Sequence, residues 1–357
     1  MTSPDIAVVG GGLLGRLLAW RASRAGLTVT LYDASGRLGE GSAAWVAAGM
    51  ITPSAEAVDA DGEIVAMGRN SIALWRQWLP ELPTPVFFRD SGTLLLWHRE
   101  DAGEARRFEA MLSARDSRSG VQTVIAATLQ ILEPSLNGRF PQALFLPDEA
   151  QVDNRELLAA VADALDLAGV ECHWNTSASA NELPAAGITI DCRGMGARPD
   201  WPQIRGVRGE VVRLYAPDVD LRHMLRLLHP RYAVYVVPRA EGRLVIGATS
   251  IESDDRSEVS VRGVLELLSS AYSLLPSLGE ARILEFSTQV RPALPDNRPA
   301  FHFDAERNVL RINGLYRHGF LLSPTVVEEA LAWLADRCRT CRWECLSTAM
   351  EVVPVCL

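Results

Sequence analysis

Residues 5–34 read DIAVVGGGLLGRLLAWRASRAGLTVTLYDA, and this stretch decides the fold of the N-terminal part of the chain. Four apolar residues, Ile6 to Val9, predict a short buried strand. The glycine pattern Gly10-x-Gly12-x-x-Gly15 follows as a tight turn, and the apolar spacing from Leu13 to Arg24 predicts a helix. Thr28 to Tyr32 predicts a second strand. A strand, a glycine turn, a helix and a strand in this order predict a dinucleotide-binding unit.

Asp33 stands at the end of the second strand, about 20 residues after the glycine turn, where a carboxylate binds ribose hydroxyls. The glycines let the backbone approach a pyrophosphate, and the helix N-terminus stabilises its negative charge. An acidic residue at this point disfavours a cofactor with a 2′-phosphate. The stretch therefore predicts NAD or FAD as the ligand.

The next distinctive stretch, GEGSAAWVAAGMITP at 39–53, consists mostly of small residues. Such a segment lets backbone amides approach a flat ring closely. The alternative interpretation is a tightly packed loop. Trp45 is the bulky exception, and it is interpreted either as packing over the cofactor or as filling a domain interface.

Two kinds of pattern alternate along the rest of the chain. Residues 64–79 predict an amphipathic helix, whereas several apolar runs after Val207 predict strands of an antiparallel sheet. Residues 309–338 predict a strand, a glycine turn and a long C-terminal helix. We expect a mixed α/β (α+β) fold in which the dinucleotide-binding half, 1–80, 147–205 and 290–357, is interleaved with an antiparallel-sheet half, 81–146 and 206–289.

Composition limits the function classes. The 357 residues carry a net charge of −9, which argues against binding to nucleic acid. No apolar run has the roughly 20 residues of a membrane helix, and the N-terminus has no signal-peptide pattern, so we expect a cytoplasmic protein without a membrane partner. We expect no metal site. Cys338, Cys341, Cys345 and Cys356 crowd the C-terminus without a second ligand pair, and no role is assigned to them.

Five ordered motifs carry a resemblance to a known family. They are GSAAWVAAGM (41–50), RGEVVRL (208–214), YVVPRAEGRLVIGAT (235–249), VRPALPDNRP (290–299) and LYRHGFLLSPT (315–325). In this order they resemble the glycine oxidases of bacterial thiamine biosynthesis, within the D-amino-acid oxidase (DAO) family of flavoproteins. The resemblance implies a Rossmann-like FAD-binding domain of the glutathione-reductase-like type, interleaved with an antiparallel-sheet substrate domain.

The resemblance also implies which residues hold non-covalent FAD. The glycine turn and second strand contribute Gly10, Gly12, Leu13, Leu14, Gly15, Asp33 and Ala34. The small-residue segment contributes Ser42, Ala43, Ala47, Ala48, Gly49 and Met50, and a middle segment contributes Ala178. The last motif contributes Gly314, Leu315, Tyr316, Arg317, His318, Gly319, Phe320 and Leu321.

Three residues are implied at the substrate. Arg291 matches the arginine that clamps the substrate carboxylate, Tyr235 an active-site tyrosine and Arg317 a second substrate-side arginine. From the residues alone, other interpretations stay open: Arg291 pairs with Asp296, Tyr235 is a core residue, and Arg317 binds backbone or cofactor phosphate.

Other side chains near these motifs have no assigned chemistry. His318 is expected to be packed and hydrogen-bonded, and Arg239 and Arg243 are expected in a solvated hairpin. Ser250 stands where relatives often carry an apolar side chain, which leaves the substrate's side chain undetermined.

The implied activity is FAD-dependent oxidation of glycine, and of small secondary or D-amino acids. The products are the keto acid, ammonia and hydrogen peroxide, with dioxygen as the electron acceptor. The imine formed from glycine would supply the thiazole ring of thiamine. The alternatives are a D-amino-acid or sarcosine oxidase, or a dehydrogenase with another acceptor. A homo-oligomer is also expected.

Overall fold

A computed structural model of the chain describes residues 4–179, 186–231 and 233–340. Within these residues the strands are β1 Ile6–Val9, β2 Val29–Tyr32, β3 Met50–Ile51, β4 Phe88–Arg89, β5 Thr93–Leu96, β6 Gln122–Ile125, β7 Gln142–Leu146, β8 Ala150–Val152, β9 Glu171–His173, β10 Ile188–Asp191, β11 Arg205–Tyr215, β12 Met224–Leu227, β13 Tyr235–Pro238, β14 Arg243–Gly247, β15 Ile251–Glu252, β16 Arg282–Ala293, β17 Ala300–Asp304 and β18 Val309–Asn313. The α-helices are α1 Leu13–Arg24, α2 Ala43–Val46, α3 Pro53–Glu56, α4 Gly62–Trp78, α5 Ala102–Arg115, α6 Ala126–Leu132, α7 Asn154–Leu167, α8 Val261–Leu274 and α9 Gly319–Thr340.

The first sheet has six strands in the order β17-β18-β10-β1-β2-β9, and all its pairings are parallel except that of β17 with β18. Every residue of β1 is buried, as expected for a central strand covered on both faces. β1 pairs with β2 on one side and with β10 on the other. The chain thus reverses its strand order at the end of β1, where α/β sheets place their ligands. The mixed fold predicted from the sequence is confirmed.

The second sheet is built mainly from antiparallel pairs and contains nine strands. Eight follow the order β15-β11-β14-β13-β12-β5-β7-β6, and β16 pairs with β11 along its length. The pairing sets Val207 opposite Arg291, so the C-terminal end of β16 carries this arginine beside the first sheet. Apolar residues of α8 such as Leu267 and Leu274 fill the core on one face.

A small separate sheet, β3-β8-β4, holds the end of the small-residue segment. The six strands of the first sheet come from the segments predicted to form the dinucleotide-binding half. The domain bounds themselves stay a prediction.

Local details agree with the sequence in some places and differ in others. The helix expected at 64–79 is α4, Gly62–Trp78, capped by the Asp61 side chain. Strand β12, Met224–Leu227, was not predicted, because Arg226 interrupts its apolar run. Of the C-terminal cysteines, Cys341, Cys345 and Cys356 and the side chain of Cys338 lie outside the described residues. Among the described residues, no helix is both long and apolar enough to cross a membrane.

Candidate active site

The turn after β1 holds the backbone in a conformation that requires glycine. Gly10 has φ +99°, and a Cβ on it would lie 2.6 Å from the backbone of Cys192. A Cβ on Gly15 would overlap the Gly10 carbonyl oxygen, so Gly15 lets α1 pack against the turn. Gly12 caps α1 without a side-chain hydrogen bond. The first amides of α1 are therefore open to an anion.

Asp33 lies beside this turn as a buried acceptor. It is 9% exposed, and its Oδ1 accepts a hydrogen bond from the Ser35 amide at 3.1 Å. Its Oδ2 is buried without a hydrogen-bond partner among the described residues. Burial raises the pKa of this carboxyl. A buried oxygen without a donor costs free energy, and a ribose hydroxyl would satisfy it.

Arg16 holds the glycine turn in place through a hydrogen bond to its backbone. The sequence alone did not identify this residue. It is fully buried, its Nε donates to the Gly11 carbonyl at 2.5 Å, and its Nη1 donates to the Leu158 carbonyl at 2.9 Å. Burial lowers its pKa to about 10. The available signal was the arginine at position 16, which stands between the apolar pairs Leu13-Leu14 and Leu17-Leu18 of α1.

The small-residue segment forms one wall of a cavity. Ser42 caps α2 by accepting a hydrogen bond from the Trp45 amide at 3.3 Å. Gly49 has φ +59°, and a Cβ on it would overlap the Val152 carbonyl. Asn154, fully buried, donates to the Ala44 carbonyl at 2.8 Å and fixes the segment. Sequence analysis missed Asn154, which resembled an ordinary helix-start residue.

Trp45 and Arg239 make contacts within the protein beside the small-residue segment. The Arg155 guanidinium lies 4.2 Å from the centre of the Trp45 ring, and Trp45 is not among the described residues that line the cavity. The solvated hairpin predicted for Arg239 is wrong, because Arg239 is 6% exposed. It donates to Gln151 at 2.8 Å and to the Ala48 carbonyl, which ties β13 to the wall.

The last motif closes the cavity from the other end of the chain. Gly314 has φ +85° and Tyr316 has φ +52°, so the backbone turns sharply between β18 and α9. The Tyr316 amide donates to the Pro292 carbonyl at 3.0 Å, which joins this turn to β16.

The cavity has a volume of about 1050 Å³ and lies between the two large sheets. Most of the residues predicted to bind FAD or substrate line it, namely Gly10, Gly12, Leu13, Leu14, Asp33, Ala34, Ser42, Ala43, Ala47, Ala48, Gly49, Met50, Leu315, Tyr316, Arg317, His318, Gly319, Phe320, Leu321, Arg291 and Tyr235. Gly15, Ala178 and Gly314 are not among the described residues that line it. Their contact with a cofactor stays a prediction.

Arg291 enters the cavity without a carboxylate partner. Its Nη1 donates to the carbonyls of Thr249 at 3.1 Å and Arg208 at 3.4 Å, and no ion pair joins it to a described residue. The alternative pairing with Asp296 is not formed. A Cβ on Gly209 would overlap the guanidinium, so this glycine makes room for it. Burial lowers the pKa of Arg291.

Tyr235 lines the same cavity. The residue is 8% exposed, and its hydroxyl is buried without a partner among the described residues. Burial raises its pKa. The guanidinium of Arg226, opposite Tyr235 in the strand pairing, lies 5.2 Å from the ring centre. Arg226 also lines the cavity and was missed by the sequence analysis.

Arg317 already has anionic partners. Its Nε donates to Glu56 Oε2 at 2.8 Å, and its Nη2 donates to Asp59 at 3.2 Å. Burial opposes its charge, but Glu56, Tyr316 and Asp59 together outweigh this effect and raise the pKa of Arg317. His318 is 4% exposed with Nδ1 3.5 Å from Glu56 Oε2, and burial lowers its pKa. Glu56 was missed because nothing in its local sequence indicates this partner.

The arrangement fits a flavin dinucleotide. Asp33 offers the ribose an acceptor, α1 offers the pyrophosphate open amides, and the small residues offer a ring a close backbone surface. Cys192 lines the cavity, but burial raises the pKa of its thiol, which keeps it a poor nucleophile.

Comparisons with known proteins agree with this geometry. The family model of the DAO FAD-dependent oxidoreductases matches residues 5–333. A Rhizobium etli protein named for a thiamine biosynthesis oxidoreductase, ThiO, is 39% identical over 91% of this chain and 94% of its own length. A glycine oxidase of Geobacillus kaustophilus is 27% identical over 90% of each chain.

Solved structures agree as well. The crystal structure of glycine oxidase from Geobacillus kaustophilus superposes with a TM-score of 0.79 at 26% identity, covering 94% of this chain and 95% of that one. Iminodiacetate oxidase from Chelativorans sp. gives a TM-score of 0.79 at 22% identity, covering 93% and 95%. At 22% identity, the similarity to iminodiacetate oxidase shows a shared fold and nothing more.

Proposed function

Since the chain belongs to the DAO family of FAD-dependent oxidoreductases, we propose that it oxidises glycine and small secondary or D-amino acids. The products are the keto acid, ammonia and hydrogen peroxide. The imine formed from glycine supplies the thiazole ring of thiamine, in keeping with the name of the Rhizobium etli relative.

One observation carries the proposal: Arg291 presents a guanidinium that has no carboxylate partner among the described residues, in the cavity whose other walls suit FAD. Arginine binds a carboxylate through two parallel hydrogen bonds, which fix orientation as well as position. The Tyr235 hydroxyl is a second polar group without a partner among the described residues. Together they suit the carboxylate of an α-amino acid.

The cofactor and the protein have separate roles in this proposal. When bound, FAD would supply the acceptor for hydride from the carbon that carries the amine and would pass the electrons to dioxygen. Asp33 and the start of α1 hold the nucleotide part, and residues 42–50 keep the ring in place. Arg291 and Tyr235 hold the carboxylate, so the carbon to be oxidised keeps a fixed place in the cavity. No side chain needs to act as a general base on that carbon.

Anaerobic titration of the purified yellow holoenzyme with glycine tests the proposal. Glycine should bleach the flavin absorbance, whereas acetate, which has the carboxylate but no amine, should shift it without bleaching. With oxygen present, hydrogen peroxide should form in proportion to glycine consumed. Failure of every amino acid in a panel to bleach the flavin would refute an amino-acid oxidase.

The same panel separates the alternatives. Faster bleaching by sarcosine or a D-amino acid would change the preferred amine, and bleaching without peroxide would indicate a dehydrogenase. Ser250, which lines the cavity with its hydroxyl 3.5 Å from that of Tyr316, bears on this choice. The cytoplasmic location, the homo-oligomer, non-covalent attachment of FAD and the substrate role of Arg317 stay predictions.

A further inference from the structure

The positive charge of Arg317 is already balanced within the protein. Glu56 and Asp59 both contact its guanidinium, at 2.8 and 3.2 Å. The three side chains together carry one net negative charge. His318, with its pKa lowered by burial, adds no full positive charge at neutral pH. The Arg226 guanidinium also acts on Glu56 and lowers its pKa, so it is the Glu56 carboxylate itself, rather than a net negative charge of the whole region, that favours a cation.

Glu56 is the member of this group that can contact a ligand. It lines the cavity and is 9% exposed. Its Oε2 receives the contacts from Arg317 and His318, whereas within the described segments no hydrogen bond uses its Oε1. Burial opposes ionisation of Glu56, but Arg317 lowers its pKa, so the side chain stays anionic.

The backbone beside Glu56 is fixed from two sides. Glu56 is the last residue of α3, which is only one turn long. The amide of the preceding Ala55 donates to Glu149 Oε1 at 2.7 Å, and its carbonyl accepts from Arg226 Nη1 at 3.1 Å. The carboxylate is thus preorganised, which reduces the entropy lost on binding.

We propose that Glu56 Oε1 accepts a hydrogen bond from the amino group of the substrate while Arg291 holds its carboxylate. An α-amino acid in water carries one positive and one negative group, and the cavity carries the complementary pair. The inference rests on the proposed function. It makes Glu56 a determinant of selectivity for amines over simple carboxylic acids.

The test is to replace Glu56 with glutamine (Glu56→Gln) and to compare how the holoenzyme binds two ligands, glycine and acetate. The KM for glycine should rise about 10- to 100-fold, the range for loss of a charged hydrogen bond. The dissociation constant of acetate, read from the shift in flavin absorbance, should stay unchanged or fall, because Arg317 loses part of its internal counter-charge. Glu56→Asp should restore part of the glycine affinity.

Glu63→Gln is the matched control, since Glu63 is an exposed carboxylate that pairs with Arg298 and is not among the described cavity residues. It should leave both constants within about twofold of the parent. An unchanged KM for glycine in Glu56→Gln would overturn the inference, and so would equal weakening of glycine and acetate. Either result is distinct from failure of the proposed function, in which the parent enzyme itself is not bleached by amino acids.

Discussion

Replacing Glu149 with glutamine is expected to stabilise the protein at alkaline pH and hardly at acidic pH. Glu149 is 1% exposed, and its Oε1 accepts a hydrogen bond from the Ala55 amide at 2.7 Å. Burial raises the pKa of this carboxyl from 4.5 to about 7. The folded state therefore holds a proton that the unfolded state releases between these two pH values.

The raised pKa of Glu149 makes the free energy of unfolding depend on pH, and the linkage between proton binding and folding gives the sign and size of this effect. Below about pH 4.5 the carboxyl is protonated in both states, and its ionisation costs nothing. As pH rises to about 7, the cost of burying the charge grows, and above that it is fully present. At about 1.4 kcal/mol per pH unit, the full cost is about 3 kcal/mol. Glutamine has the same shape and carries no such charge.

Urea unfolding of the FAD-saturated protein at several pH values measures this difference. Glu149→Gln should exceed the parent in free energy of unfolding by less than about 1 kcal/mol at pH 5 and by about 3 kcal/mol at pH 8.5. Glu306→Gln, at an exposed glutamate, is the control and should give no pH-dependent difference. A constant difference across the pH range would show that Glu149 ionises normally and would refute the reasoning.

Three further predictions concern the cavity. Arg291→Ala should raise the KM for glycine at least about 100-fold with FAD still bound, as steady-state kinetics and flavin absorbance can measure; parent-like kinetics would remove Arg291 from the site. Asp33→Ala should weaken FAD binding about 10- to 100-fold in a titration of the apoprotein, and equal affinity would contradict its contact with ribose. Tyr235→Phe should raise the KM about 10-fold without lowering the free energy of unfolding, because its hydroxyl has no partner among the described residues. A clear loss of stability would instead indicate a structural hydroxyl.

The nucleotide end of the cavity was predictable because its signals are local. Strand β1, the Gly10 turn, α1 and β2 lie within one stretch of about 30 residues, which forms a single βαβ unit. Their apolar periodicity and glycine spacing depend on backbone geometry alone. The Arg291 motif could also be found, but only through its resemblance to a family.

Tertiary structure decided the charges around the substrate. Glu56 lies 261 positions before Arg317, and no local pattern indicates that these side chains meet. The sequence around Arg239 predicts an exposed turn, yet the fold buries its side chain against Gln151, 88 positions away. The sequence determined which backbone would bind a dinucleotide, because neighbouring residues dictate strands, turns and helices. Which charges face each other across the cavity depended on how distant segments pack, and packing is a property of the whole chain.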